Sequence, residues 1–303
     1  MQSESDKPVF FVRNDAVTLL QGQDCLNVLD RLVSSKISDI PDMSRKNAIF
    51  CDYNGKIIDF SSVFNISGSV VLFSSIEAQD SIRSRLVDGK SWDEDCEIMI
   101  ANDAIFRIYV IFRKQKNHSG IFEAERKKLV YNDLVESGDY VISSFFHSSV
   151  EFLEILVKSS NLGDIKSELT DIGCLEIGLN EWESIRIPLG MPSNGDYSGN
   201  LPGEMGMESL VSKDKGCYPG QEVHARIDSR GRIVKKFCLI SGKSPLKVGK
   251  YTSQNLGSIL VTSTSISDGF TNALALVRTK DSESGIIKLG ENELKFEKLI
   301  FPY

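Results

Sequence analysis

The sequence predicts an α+β fold, on three observations: strand-like runs that pair around turn residues, helical segments with one apolar face, and no regular strand–helix alternation of the kind a parallel sheet needs. At 303 residues, 41% hydrophobic and 25% charged, the chain can bury a substantial core and divide into two or three lobes.

The elements follow in order. "VFFV" reads as a short strand. In "GQDCLNVLDRLVSS", Cys25, Val28, Leu29, Leu32 and Val33 fall at helical spacing, and Asp24 stands where it can cap the first N–H groups. "AIFCDYNGKIIDFSSVFNI" is two strands around Asn54-Gly55, a pair that tolerates the positive φ of a tight hairpin. "SVVLFSS", "AIFRIYVIF" and "DYVISSFF" are further strands. "EAQDSIRSRLV" and "SVEFLEILVKSS" read as helices, the second with Phe152, Leu153, Leu156 and Val157 on one face. Residues 187–206, rich in proline, glycine and serine, form a long irregular loop, either a lobe connector or a functional segment. Beyond Phe237 the helical periodicity stops, and "SILVTSTS" and "ALALVRT" between glycine and serine turns predict a small all-β C-terminal domain.

A net charge of −7 and a pI near 5.2 argue against indiscriminate attraction to nucleic acid or anionic membranes, so any anion site must be local. "MQSESDKPVF" lacks a basic segment followed by an apolar one, and no apolar run approaches the roughly 20 residues that span a bilayer. The expectation is a cytoplasmic protein with no membrane partner. The six cysteines are scattered, without a C-x-x-C pair or histidines at zinc-ligand spacing. They are expected to be free thiols, most of them small buried hydrophobes, with no metal site owned by this chain alone.

Cys217 is different in its surroundings, "KDKGCYPGQEVHARIDSRGRIVKK". A thiol acts as nucleophile or ligand when ionised, and neighbouring lysines or a helix N-terminus lower its pKa from about 8.5. Lys213 and Lys215 precede it, and the Pro219-Gly220 turn leads into a helix marked by Val223 and Ile227 one turn apart. On local sequence alone an ordinary loop cysteine explains the same pattern. A Cys–His hydrolase using His224, His118 or His147 lacks a supporting nucleophile motif, and His224 is predicted on a helix flank. Arg226, Arg230, Arg232, Lys235 and Lys236 concentrate positive charge. The guanidinium forks of the three arginines suit a polyanionic ligand such as a glutamylated cofactor, or an RNA backbone, and a solvated basic face is the alternative.

"KGCYPGQE" resembles the signature of the YgfZ branch of the folate-binding YgfZ/GcvT family. "ESIRIPLGMP", "LPGEMGMESLVS" and "ARIDSRG" resemble family segments around it. "LQGQDCLNVLDRLVSSKISDI", "YNGKIIDF", "LGSILVTS" and "ALALVR" extend the likeness to both ends, while the middle third matches loosely. Where that branch has "TND" after the first helix, this chain has Ser34, Ser35 and Lys36.

The resemblance implies a three-lobed GcvT-like α+β fold around a central folate cavity. Residues 1–236 would form the discontinuous two-lobed body and 237–303 a β-barrel closing one side. It implies tetrahydrofolate or a derivative as cofactor and an accessory role in assembly or repair of iron-sulfur clusters, particularly 4Fe-4S. The partners would be cluster assembly proteins or client enzymes, with nucleic acid not expected. Cys217 would be the working thiol, with Lys215 beside it. Tyr218, Gln221 and Glu222 complete the motif, and Arg186 would face the folate carboxylates, with Arg226 a second candidate. The other branch comprises aminomethyltransferases and related folate-dependent methyl transferases, which carry paired acidic residues in the hairpin and a later "GYTGE". Here Asp59 is followed by Phe60 and "GYTGE" is absent, so the enzyme alternative rests on Asp59. RNA binding through the basic tract is a third reading, one that predicts salt-sensitive RNA affinity and none for folate.

Overall fold

The computed structural model describes residues 7–112, 122, 128–129, 133–148, 150–231, 233–267, 269–278 and 284–299. It is a mixed α/β structure with three sheets among the described residues. The chain divides into two compact units that interleave along the sequence: Met1–Asp30, Ile37–Asn47 and Ser61–Leu179 form one, Arg31–Lys36, Ala48–Phe60 and Asn180–Tyr303 the other.

The first unit holds a six-stranded sheet in the order Leu175–Glu176, Val9–Val12, Ile105–Phe112, Val150–Lys158, Tyr140–His147, Val135–Ser137. The helix Leu162–Asp171 inserts Ile165 and Leu169 among Phe10, Ile108, Val110 and Leu153. Contrary to the helix expected from its spacing, the apolar run after residue 149 is a strand. Val150–Lys158 pairs antiparallel on both sides, and Phe152 to Val157 are buried without a break. A strand covered on both faces reads as a continuous apolar run rather than an alternating one. Glu154, which gave the run an apparent polar face, is itself buried between Arg45 and Arg107.

A five-stranded sheet has the order Ser44–Cys51, Ile57–Ile66, Ser69–Ser75, Asp15–Gln21, Glu97–Ile100, its first two strands passing through both units. Within the first unit, Val17, Phe64 and Phe73 of this sheet meet Leu156 of the other in one apolar cluster. Beside it lies a buried ionic network. Arg107 Nη2 is 2.7 Å from Asp15 Oδ2, Arg107 Nη1 3.2 Å from Glu154 Oε1, and Arg45 Nη1 2.5 Å from Glu154 Oε2.

The second unit is built on a six-stranded antiparallel sheet ordered Gly249–Ser253, Gly257–Ser267, Phe270–Arg278, Lys235–Gly242, Asn292–Lys298, Ser284–Leu289. It curls, and no strand ladder joins its edge strands among the described residues. The turn after the first edge strand reaches the other edge, with Gln254 N–H donating to Lys288 O at 3.0 Å and Asn255 Nδ2 to Ile286 O at 2.7 Å. Strand alternation sends Cys238, Ile240, Ala275 and Val277 to one face. It sends Phe237, Leu274 and Leu276 to the other, against Ile49, Ile57, Met205 and Leu210.

The first predicted helix spans Cys25–Asp30 with Cys25, Val28 and Leu29 buried. It stops before Val33, which forms an isolated bridge with Phe50. The long loop contains a short helix, Asn194–Tyr197, opened by a capping box between Ser193 and Asp196. No helix among the described residues is long and apolar enough to cross a membrane.

Candidate functional site

A glycine contact shapes the Cys217 loop. Gly220 has φ +86°, and a Cβ there would stand 2.6 Å from Gly55 Cα and 2.8 Å from Asp52 O. Both the left-handed backbone and the close approach require glycine. The helix Gln221–Arg230 starts from this residue and brings His224 onto the same hairpin, with Nε2 2.8 Å from Gly55 O. A carbonyl only accepts, so Nε2 carries the proton, and Nδ1 faces the Tyr218 hydroxyl at 3.4 Å. His224 is therefore a buried clasp residue rather than a flank residue, and its two ring nitrogens are engaged by Gly55 and Tyr218. The hairpin turn is closed by Asp52, whose Oδ1 accepts from the N–H groups of Asn54 and Lys56, each at 2.9 Å.

Lys215 anchors the other side of the loop. Its Nζ donates to Val33 O at 2.9 Å and Ser35 O at 2.8 Å, and lies 5.5 Å from the centre of the Tyr218 ring. Burial pushes the Tyr218 phenol up to about 12, so it is neutral at physiological pH. The acceptor segment is fixed in turn: Ser35 Oγ donates to Leu210 O at 2.8 Å, Ser212 N–H to Ser34 O at 2.9 Å, and Ser34 N–H to Ile49 O at 2.8 Å. "SSK", "LVS" and "KGCYPGQE" thus converge although about 180 residues separate Lys215 from Ser35. The lysines expected to favour a thiolate have other partners as well, because Lys213 pairs with Asp228. Between the two anchors Cys217 is exposed, while the other five cysteines are buried.

Arg186 and Asp59 belong to a separate polar core in the same unit. Arg186 is 4% exposed, and all five of its N–H groups are engaged. Nε and Nη2 bind Glu183 at 2.7 and 2.6 Å, Nη1 reaches Met191 O and Asp196, and Nη2 also donates to Ser263 Oγ at 3.1 Å. Asp196 is fully buried and also accepts from Ser193, Thr262 and Ser263. A strand bulge between Val261 and Ser263 lets the consecutive Thr262 and Ser263 point at one carboxylate oxygen. Asp59 is fully buried, accepting from Tyr197 OH at 2.8 Å and Asn194 Nδ2 at 3.3 Å.

Gln221 is half-buried, and Glu222 and Arg226 are exposed on the helix that follows the cysteine loop. Arg226 borders an open groove of about 570 Å³ with Ala225, Ile227, Ser229 and Gly231. Among the residues expected to hold folate, Arg226 has the exposed guanidinium that fits a carboxylate, whereas Arg186 is already engaged by the protein. His118 and Arg232 lie outside the described residues.

Sequence reading did not identify His224, Gly55, Ser35 or Asp196 as site-building residues. Their signals were present: the glycine of the hairpin, the histidine four residues after Gly220, and a serine three residues before an aspartate, the pattern of a helix N-cap.

No family model matches the chain. Over 237 residues it is 25% identical to a protein named tRNA-modifying protein YgfZ from Blochmanniella pennsylvanica (strain BPEN), covering 75% of this chain and 69% of that one. Over 241 residues it is 23% identical to a protein of the same name from Serratia proteamaculans (strain 568), covering 76% and 69%. Among solved structures, glycine cleavage system aminomethyltransferase T from Bartonella henselae superposes with a TM-score of 0.75 at 12% identity, over 96% of this chain and 85% of that one. The last likeness is one of fold.

Proposed function

We propose, from the likeness to the two proteins named YgfZ over three quarters of the chain and the shared fold of the aminomethyltransferase, that this is a YgfZ-like accessory protein of the YgfZ/GcvT family that binds tetrahydrofolate or a derivative and supports assembly or repair of 4Fe-4S enzymes through Cys217. In this reading residues 1–236 form the two-lobed body and 237–303 the third lobe, a barrel. The observation that carries the reading is an exposed sulfur on a loop held at both ends, by Lys215 on two carbonyls and by Gly220 and His224 on the Asn54-Gly55 hairpin. An accessible thiol on a fixed loop can ligate a soft metal, accept sulfur or exchange with a partner thiol. Folate, when bound, supplies one-carbon chemistry. The exposed Arg226 would hold its carboxylates, and Arg186 would build the loop around Asp196. The partners are cluster assembly proteins or client enzymes in the cytoplasm.

The test is complementation. Expressed in cells lacking their own YgfZ-type factor, the full chain restores activity of a 4Fe-4S enzyme. Failure of soluble, folded protein to do so overturns the proposal. The name of the curated relatives makes tRNA modification a second readout. An aminomethyltransferase is the competing reading. It requires Asp59, which is fully buried against Tyr197 and Asn194. Turnover of an aminomethyl-loaded carrier protein, lost in Asp59→Asn, would establish the enzyme in place of the accessory role.

A further inference from the structure

Two of the buried cysteines are neighbours. Cys25 opens the helix Cys25–Asp30, and Cys96 precedes the strand Glu97–Ile100. Each thiol acts on the ionisation of the other, as neighbouring groups do, and the residues are 2% and 1% exposed. The residues just before them form a clasp. Asp24 N–H donates to Asp95 O at 3.0 Å, Asp95 N–H to Asp24 Oδ2 at 2.9 Å, and Gln23 N–H to Asp95 Oδ2 at 3.2 Å. Gly22 makes this approach possible: its φ is +126°, and a Cβ there would stand 2.2 Å from Asp95 O. A disulfide needs two backbones close together with side chains that converge. The clasp holds the backbones together one residue upstream of each cysteine, and both side chains are buried beside it. Cys174 and Cys238, by contrast, are packed in apolar clusters.

We propose that Cys25 and Cys96 are an oxidisable dithiol, closing to an intramolecular disulfide that locks the Gly22–Cys25 turn to the Asp95–Cys96 segment. With a hydroperoxide as oxidant, one sulfur attacks the O–O bond, becoming a sulfenic acid and releasing an alcohol, or water from hydrogen peroxide. The second sulfur displaces water from it as the S–S bond forms. Two S–H bonds and one O–O bond are lost, and the two electrons from the thiols reduce the peroxide. Burial pushes both thiols up, Cys25 to about 12. Reaction therefore proceeds through local opening of the clasp and is slower than oxidation of the exposed Cys217.

The test uses the full chain treated with hydrogen peroxide, blocked with iodoacetamide, digested without reduction and analysed by mass spectrometry. The expected product is a Cys25–Cys96 linked peptide pair, two hydrogens lighter than the free peptides and reversed by dithiothreitol. Its appearance is accompanied by an upward shift of the thermal unfolding midpoint. Cys217→Ser gives the same yield, because the pair does not use Cys217. Absence of the linked peptide when peroxide treatment is prolonged well past full oxidation of Cys217, under mild denaturant that opens the clasp, overturns the proposal, as does its loss in Cys217→Ser. These readouts need no substitution of a buried cysteine, so they do not depend on a variant that fails to fold.

Discussion

His224 donates its Nε2 proton to the carbonyl oxygen of Gly55 at 2.8 Å, and Gly220, four residues before that histidine, touches the backbone of the same hairpin. The cysteine motif and the hairpin are therefore one structural unit. An alanine at Gly220 must leave φ +86° or displace the hairpin, and Gly220→Ala is expected to cost about 1–3 kcal/mol. His224→Ala leaves the Gly55 carbonyl without its donor, at about 1–3 kcal/mol. Urea titration measures both. A Gly220→Ala protein as stable as wild type contradicts the clasp.

Lys215→Met keeps the apolar stem and removes the donors to Val33 O and Ser35 O. The expected result is a stability loss of about 1–3 kcal/mol and reduced complementation, with Cys217 still open to alkylation. A variant retaining both stability and activity removes Lys215 from the account.

How much of this was legible in the sequence depends on the range of the interaction. The hairpin at Asn54-Gly55 and the helix Gln221–Arg230 were legible, because glycine turns and apolar spacing are local signals. The clasp joining them was not, since it depends on a contact between His224 and Gly55, 169 residues apart. The strand Val150–Lys158 was misread because Glu154, a buried ion-pair partner, imitates the polar face of a helix. Arg186 stood in the expected segment, but whether its guanidinium meets a ligand or the protein depends on Glu183, Asp196 and Ser263, and the last lies 77 residues away.

That difference separates two arginines. Arg186→Ala leaves Asp196 buried without its charged partner and is expected to destabilise by about 3–5 kcal/mol. Arg226 is exposed, so Arg226→Ala changes stability by less than about 0.5 kcal/mol. It is expected to weaken tetrahydrofolate binding roughly ten-fold through loss of a charge-assisted contact. Calorimetric titration gives both affinities, and an unchanged dissociation constant for Arg226→Ala removes it from the folate site.

The buried network of the first unit sets an acid limit. Burial pushes the Asp15 carboxyl up, but the Arg107 and Arg13 guanidiniums more than offset this and hold it well below the usual carboxylate range. With a depressed folded value, its contribution is fully present above the unfolded pKa of about 3.9 and is lost as pH falls through that value toward the folded one. Asp15→Asn is expected to lower neutral stability by about 3–5 kcal/mol and to flatten the decline between about pH 5 and 3. The same acid slope in variant and wild type would show that other carboxylates set the limit.

The central claim is that Cys217 is the working group on a loop whose shape is set by its neighbours. Its most direct test compares wild type with Cys217→Ala in cells lacking their own YgfZ-type factor, using 4Fe-4S enzyme activity as the readout and thermal unfolding of both purified proteins as the control. The account predicts equal unfolding midpoints and rescue by wild type alone. Equal rescue by the alanine variant would contradict it.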